Sequence, residues 1–249
     1  MMKPGRETVW SQAPAQFSFP TDRVDVWRVR LEEAAKEHVE AGVLSPDEIT
    51  RANRFLFEKD RTHFSRCRST LRNLLAAYLD IPAAEIRFEY LPGGKPHLAG
   101  EQNPRGLQFN VSHSAGMALI AIAGQCRIGV DIEKIRSDVD TAALAERFFS
   151  VRERAGLRAL PDHLRVAAFY ACWTRKESFL KATGDGLSFP LAGFSVTTHP
   201  DQNPAIEEIR GDTQSPKQWV LKDLDVFYGY RTAVAIDRSL SHVQTLVWN

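Results

Sequence analysis

Apolar and polar residues alternate with a period of two at several places along the chain, the mark of half-buried strands. Residues 25–31, 86–90, 107–114 and 128–133 carry this pattern, and the unbroken apolar run 117–123 fits a strand buried on both faces. Helical periodicity takes over between them. Ser45-Pro46-Asp47-Glu48 gives an N-cap, a proline at the first helical position and acids in the first turn, so a helix runs on through Arg51, Arg54 and Phe55. A second helix is predicted over 58–79, with Phe64, Leu71, Leu74, Leu75 and Tyr78 as its apolar stripe. Two more follow, over 141–149 and from Pro161-Asp162 to Thr183, the latter stopped by Gly184-Asp185-Gly186. The remainder reads as strands over 193–198, 218–224 and 230–237, with a looser stretch at 201–216. Residues 1–24 are rich in breakers and read as a loosely ordered arm.

The order of elements repeats. Each half runs strand, helices, glycine-bearing turn, strands, and closes on an apolar strand (117–123 and 232–236). The expectation is an α+β protein of two similar subdomains, 25–125 and 126–249, with a ligand cleft between them.

Composition narrows the function. A net charge of +1 argues against nucleic-acid binding by bulk electrostatics, so any anion site must be a local cluster of basic residues. No apolar run is long enough to span a bilayer, and residues 1–19 lack the apolar core of a signal peptide. Three scattered cysteines (Cys67, Cys126, Cys172) fit reduced thiols and a cytoplasmic protein.

The candidate chemistry centres on Ile128-Gly129-Val130-Asp131-Ile132-Glu133. Alternation puts Asp131 and Glu133 on one strand face, with Gly129 beside them leaving room for a ligand. Two carboxylates so close repel unless a cation joins them, and Mg²⁺ suits such oxygen donors. In the last helix Lys176, Glu177 and Lys181 read as one side, offering a third carboxylate flanked by two ammonium groups. The turn Leu91-Pro92-Gly93-Gly94-Lys95-Pro96 can cradle phosphate but lacks the P-loop spacing. Ser112 and His113 end a strand; adjacent strand residues face opposite ways, so they form no nucleophile–base pair, and phosphate binding is the competing role for His113. The basic face of the second helix (Lys59, Arg61, Arg66, Arg68, Arg72) is either solvated or turned to an anion. A reacting hydroxyl would need a base, and Glu153 is the acid at hand. Such a set suits phosphoryl-type transfer.

In order and spacing, Gly94-Lys95-Pro96, Phe109-Asn110-Val111-Ser112-His113-Ser114, the 128–133 strand, Arg147-Phe148-Phe149-Ser150, Trp173-Thr174-Arg175-Lys176-Glu177-Ser178-Phe179-Leu180-Lys181 and Gly186-Leu187-Ser188 resemble the Sfp-type 4'-phosphopantetheinyl transferases. The resemblance implies two α+β subdomains with coenzyme A between them. It implies transfer of the phosphopantetheine arm to a serine of an apo acyl or peptidyl carrier protein, releasing adenosine 3',5'-bisphosphate. By position Asp131, Glu133 and Glu177 would hold Mg²⁺, and Lys176 and Lys181 would meet phosphate. Gly94, Lys95, Pro96, Ser112 and His113 would hold the nucleotide, with Arg51 and Lys59 toward its 3'-phosphate. Glu153 would deprotonate the serine, with Lys181 also in the catalytic set. The expected protein is monomeric and touches neither nucleic acid nor membrane. A hydrolase splitting the coenzyme A pyrophosphate, or a binding module without turnover, are the rival readings.

Overall fold

In a computed structural model of the chain, the residues described are 8–32, 42–91, 94–184, 189–210, 216–237, 240 and 242–248. The first half comprises β1 (Ser11–Gln12), β2 (Arg23–Arg30), α1 (Pro46–Ala52), α2 (Glu58–Leu79), β3 (Phe88–Tyr90), β4 (Pro96–Leu98), β5 (Leu107–Ser114) and β6 (Met117–Gly124). The second comprises β7 (Ile128–Lys134), α3 (Thr141–Phe148), α4 (Val151–Ala159), α5 (Asp162–Thr183), β8 (Phe194–Val196), β9 (Ile206–Ile209), β10 (Trp219–Asp223), β11 (Tyr230–Asp237) and β12 (His242–Trp248).

The α+β twofold plan is present in the strand order. β2-β6-β5 and β7-β11-β10 are both antiparallel and both ordered first strand, last strand, middle strand. In each half a 22-residue helix, α2 or α5, ends on a left-handed residue, Asp80 or Gly184. A two-stranded hairpin follows, β3–β4 or β8–β9. The apolar faces explain the layering. Leu71, Leu74 and Leu75 of α2 pack on Trp27, Val29, Ile120 and Ile122, while Phe179 and Leu180 of α5 join the cluster of Trp219, Leu221 and Ala235. A third cluster joins the halves: Val24 and Val26 of β2, Leu119 and Ala121 of β6, and Val130, Ile132, Val234 and Ile236 of β7 and β11. Alternate residues of β6 thus enter different clusters, which is why every residue of that strand is buried.

Three expectations need correction. Residues 8–24 are docked rather than loose. Phe17 stacks on Trp27 with ring centroids 5.4 Å apart, β1 pairs with β12, and the Trp10 indole N–H donates to the Asp225 carbonyl; residues 1–7 of the expected arm lie outside the described residues. β12, absent from the sequence reading, lies beyond the expected boundary at 125/126 yet pairs in parallel with β2 and so completes the first half's sheet. The stretch expected to be loose at 201–216 contains β9. The basic face of α2 is also resolved. Arg68 and Arg72 are buried against Glu48 at 3.1 and 2.6 Å, Lys59 meets Glu32, and Arg61 meets Glu58. Their anions are this chain's own carboxylates.

Gly129 serves a purpose other than the one its neighbours suggested. A Cβ there would lie 2.0 Å from the Ser178 carbonyl oxygen and 2.4 Å from the Ala182 nitrogen. The space beside the acids is filled by the backbone of α5, which is how Glu177 and Lys181 reach the acidic face of β7. Gly129→Ala must push helix from strand, and overpacking of this kind costs about 1–3 kcal/mol, more where backbone is struck. The expected result is a loss of about 3 kcal/mol or more in urea unfolding; a wild-type midpoint would show that α5 does not sit against Gly129.

Candidate active site

The site grows out of an edge that has no strand partner. β11 pairs with one side of β7, and β5 lies along the other. There the amides of Val130, Ile132 and Lys134 donate to Asn110 Oδ1, Ser112 Oγ and Ser114 Oγ at 2.9, 3.3 and 3.1 Å. Polar side chains at every second position of β5 stand where a neighbouring strand's carbonyls would be. Two β7 carbonyls are met by cations. Lys95 Nζ lies 3.4 Å from the Ile128 oxygen, and Lys181 Nζ lies 3.3 Å from that of Val130. Buried backbone groups must be paired, and here the pairing brings the Lys181 ammonium and two hydroxyls to the acids.

Asp131, 3% exposed, is the centre. Its Oδ1 accepts from Lys181 Nζ at 2.6 Å and from the Ser112 hydroxyl at 2.9 Å. Its Oδ2 is buried with no hydrogen-bond partner among the described residues. Glu133 takes one hydrogen bond from the Ser114 hydroxyl at 3.0 Å. Desolvation first, and then the negative charge of Asp131, raise the carboxyls of both Glu133 and Glu177 above their ordinary range. Among the described residues no group of three or more His, Cys, Asp or Glu side chains encloses a metal position unaided. The donor set nevertheless fits a hard cation that completes its shell with phosphate and water: one buried carboxylate oxygen is orphaned, and two neighbouring carboxyls are destabilised as anions by the charge a cation would cancel.

Beside this cluster lies a cleft pocket of about 290 Å³, walled by Gly94, Lys95, Pro96, Val111, Glu177 and Lys181 among others. Three elements therefore bring together residues that the sequence had only suggested as neighbours: the start of β4, the middle of β5 and the end of α5. Gly94 takes a left-handed conformation (φ 79°) there; Pro92 and Gly93 of the expected cradle, and the Gly186-Leu187-Ser188 segment, lie outside the described residues. Lys95 also donates to the Lys181 carbonyl at 2.6 Å, in the last turn of α5. His113 sits on the exposed side of β5. Desolvation of its ring, then the neighbouring Lys181, His63 and Arg51, hold it below the usual histidine range. Arg51 is exposed, its guanidinium over the Phe64 ring, whereas Lys59 is tied to Glu32 at 2.8 Å.

Glu153 and Lys176 are not brought to this site. On a helix Trp173, Glu177 and Lys181 form one row at intervals of four, and Lys176 belongs to the next. Both Lys176 and Glu153 are fully buried. The carboxylate accepts from Lys176 Nζ (2.7 and 2.9 Å), from the Ser150 amide (2.8 Å) and from the Val196 amide (2.8 Å), and the ammonium also donates to the Phe194 carbonyl. With its oxygens so occupied, Glu153 is placed to hold α4 and β8 on α5 rather than to accept a proton from a substrate. Ser150 and Glu153 form a capping box at the start of α4, and the Ser-x-x-Glu spacing is the signal that could have announced it. Asn110 and Ser114 were the missed members of the site; their period-two spacing around Ser112 was visible but had no partner assigned to it.

The sequence model of the 4'-phosphopantetheinyl transferase superfamily matches residues 127–235, and that of the 4'-phosphopantetheinyl transferase N-terminal region matches residues 32–126. The 4'-phosphopantetheinyl transferase HetI of Nostoc sp. is 40% identical over 72% of this chain and 76% of its own length. The chain belongs to the 4'-phosphopantetheinyl transferase family. Other relatives are the 4'-phosphopantetheinyl transferase Sfp of Bacillus subtilis, 33% identical over 77% of this chain and 81% of the relative, and the human L-aminoadipate-semialdehyde dehydrogenase-phosphopantetheinyl transferase, 30% identical over 78% and 67%. The two family regions meet at 126/127, just before β7, and leave β2 and β12 outside both.

Two measurements check the site of this transferase. Glu153→Gln leaves a buried ammonium without its counter-charge, a change that costs about 3–5 kcal/mol. Its urea midpoint is expected to fall accordingly, and unchanged stability would contradict the closed pair. Burial lowers the Lys95 ammonium to about 8 from the ordinary 10.5. Since its folded value is below its unfolded one, the buried charge opposes folding fully below pH 8, and that opposition fades as the pH rises from about 8 toward 10.5. An amine titration followed by NMR should place Lys95 near 8; a midpoint near the ordinary value would mean the side chain is solvated.

Proposed function

We propose that the protein transfers the 4'-phosphopantetheine group of coenzyme A to a serine hydroxyl of an apo acyl or peptidyl carrier protein, with Mg²⁺, releasing adenosine 3',5'-bisphosphate. The observation that carries the Mg²⁺ reading is the partnerless buried Oδ2 of Asp131 among two further carboxyls and one ammonium. Asp131, Glu133 and Glu177 would hold the ion, which when bound draws charge from the pyrophosphate and stabilises the leaving bisphosphate.

The chain's own groups do the rest. Lys181 Nζ, now shared by Asp131, Ser112 and the Val130 carbonyl, lies on the pocket wall where it can turn to a phosphate oxygen. Gly94, Lys95 and Pro96 line the same pocket for the nucleotide. Arg51, within electrostatic reach of His113, supplies positive charge toward the 3'-phosphate, and the His113 ring, held below its ordinary range, offers a hydrogen bond rather than a charge. The serine oxygen forms a bond to the pantetheine-side phosphorus as the phosphoanhydride bond breaks, and the bisphosphate carries away the bonding electron pair. The serine proton passes, directly or through water, to the phosphate oxygen freed on the leaving bisphosphate, since the Glu153 oxygens are occupied within the core.

The protein is proposed to act as a cytoplasmic monomer on carrier proteins of fatty-acid, polyketide or nonribosomal-peptide synthesis, with no role for nucleic acid or membrane. Buried, unbridged Cys67, Cys126 and Cys172 are in keeping with a reducing compartment, and among the described residues no helix is long and apolar enough to cross a membrane.

Incubating the protein with coenzyme A, Mg²⁺ and several apo carriers should add one phosphopantetheine to a carrier, read by mass spectrometry. Asp131→Ala should abolish the gain while leaving the circular dichroism spectrum intact. Free phosphopantetheine in the absence of carrier would instead indicate a pyrophosphate hydrolase, and no modification of any carrier would sink the transferase reading for this chain.

A further inference from the structure

The three side chains that bind the edge of β7 are not equivalent, and the difference lies in their protons. A serine hydroxyl has one proton to give and two lone pairs to receive with. Ser112 uses all three: it accepts from the Ile132 amide and from Lys181 Nζ and donates to Asp131 Oδ1. Ser114 repeats the pattern one step along. It accepts from the Lys134 amide at 3.1 Å and donates to Glu133 Oε2 at 3.0 Å. Asn110 has no carboxylate beside it and serves the Val130 amide alone. In both serines an amide occupies a lone pair from the β7 side, which leaves the hydroxyl proton facing the carboxylate of the preceding residue on that strand.

Glu133 is the carboxylate that needs this. Asp131 is fixed by Lys181 as well as by Ser112. Glu133 is longer and half-buried, lies two residues from Asp131 on the same strand face, and among the described residues takes its one side-chain hydrogen bond from Ser114. Left alone, a glutamate so placed would swing away from its negative neighbour. The Ser114 hydroxyl holds Oε2 against that repulsion. The turn beyond it is itself anchored, since the Tyr230 hydroxyl of the second half donates to the Ala115 carbonyl at 2.6 Å.

We infer that Ser114 is a positioning residue for the transferase site, holding Glu133 toward the cation through a hydroxyl whose direction is set by the Lys134 amide. The inference rests on the proposed metal-binding role of Asp131, Glu133 and Glu177. Groups that orient a metal ligand typically change metal affinity by about 10–100-fold when removed.

The test compares Ser114→Ala with Ser114→Thr, which keeps the hydroxyl, and runs Asp131→Ala beside them. Mn²⁺, used as the spectroscopic stand-in for Mg²⁺, is titrated by electron paramagnetic resonance in the presence of coenzyme A without carrier, and exchange of the Lys134 amide is followed by NMR. Ser114→Ala should weaken Mn²⁺ binding by about tenfold or more and speed Lys134 exchange, with the melting temperature little changed. Ser114→Thr should restore both to within about twofold of wild type. Wild-type Mn²⁺ affinity in Ser114→Ala beside a crippled Asp131→Ala would overturn the positioning role alone. Wild-type affinity in Asp131→Ala would overturn the metal reading beneath it. Equal losses in Ser114→Ala and Ser114→Thr would also overturn the inference, because they would trace the effect to packing rather than to the hydroxyl.

Discussion

The structure turns on one strand edge. β7 pairs with β11 on one side, and on the other its amides and carbonyls meet side chains of β5, β4 and α5 instead of a ladder. A backbone ladder would have satisfied the same groups with no chemistry attached. Satisfying them with hydroxyls and ammonium groups brings donors to the acids at no extra cost in unpaired backbone. The seam between the two halves and the reactive site are for this reason the same place.

Close approach of α5 is the second half of that arrangement. Glycine at 129 lets the helix backbone lie directly on the strand, which sets Glu177 and Lys181 beside Asp131 while directing the neighbouring row, with Lys176, into the core. The ion pair of Lys176 with Glu153 then locks α4 and β8 on the far side of the helix. A residue one position along a helix can thus belong to a different layer, with a structural task in place of a chemical one.

Much of this was legible in the sequence. The alternating strands, the long helices with their caps, the repeated order of elements and the acids on one face of β7 all follow from local pattern. What failed did so where the answer lay in a distant partner. Arg68 and Arg72 carry no mark showing that Glu48 waits for them. Gly129 looked like room for a ligand because the helix that fills the room begins more than thirty residues later. Glu153 looked like an available base because its capping box was unread and its ion-pair partner had been placed on the wrong row of α5. β12, half-polar along its length, gives little sign that it pairs with β2.

That last pairing has a consequence for how the protein is made. The parallel neighbour of β2 comes from the far end of the sequence, and β1 in turn rests on that same strand. During synthesis β5 and β6 can form their hairpin and pair with β2 before the second half is made, but the other flank of β2 stays open until β12 leaves the ribosome. Long-range parallel pairing is slow to close because the loop entropy is spent before the contact is gained. The first half, finished first as sequence, is finished last as structure.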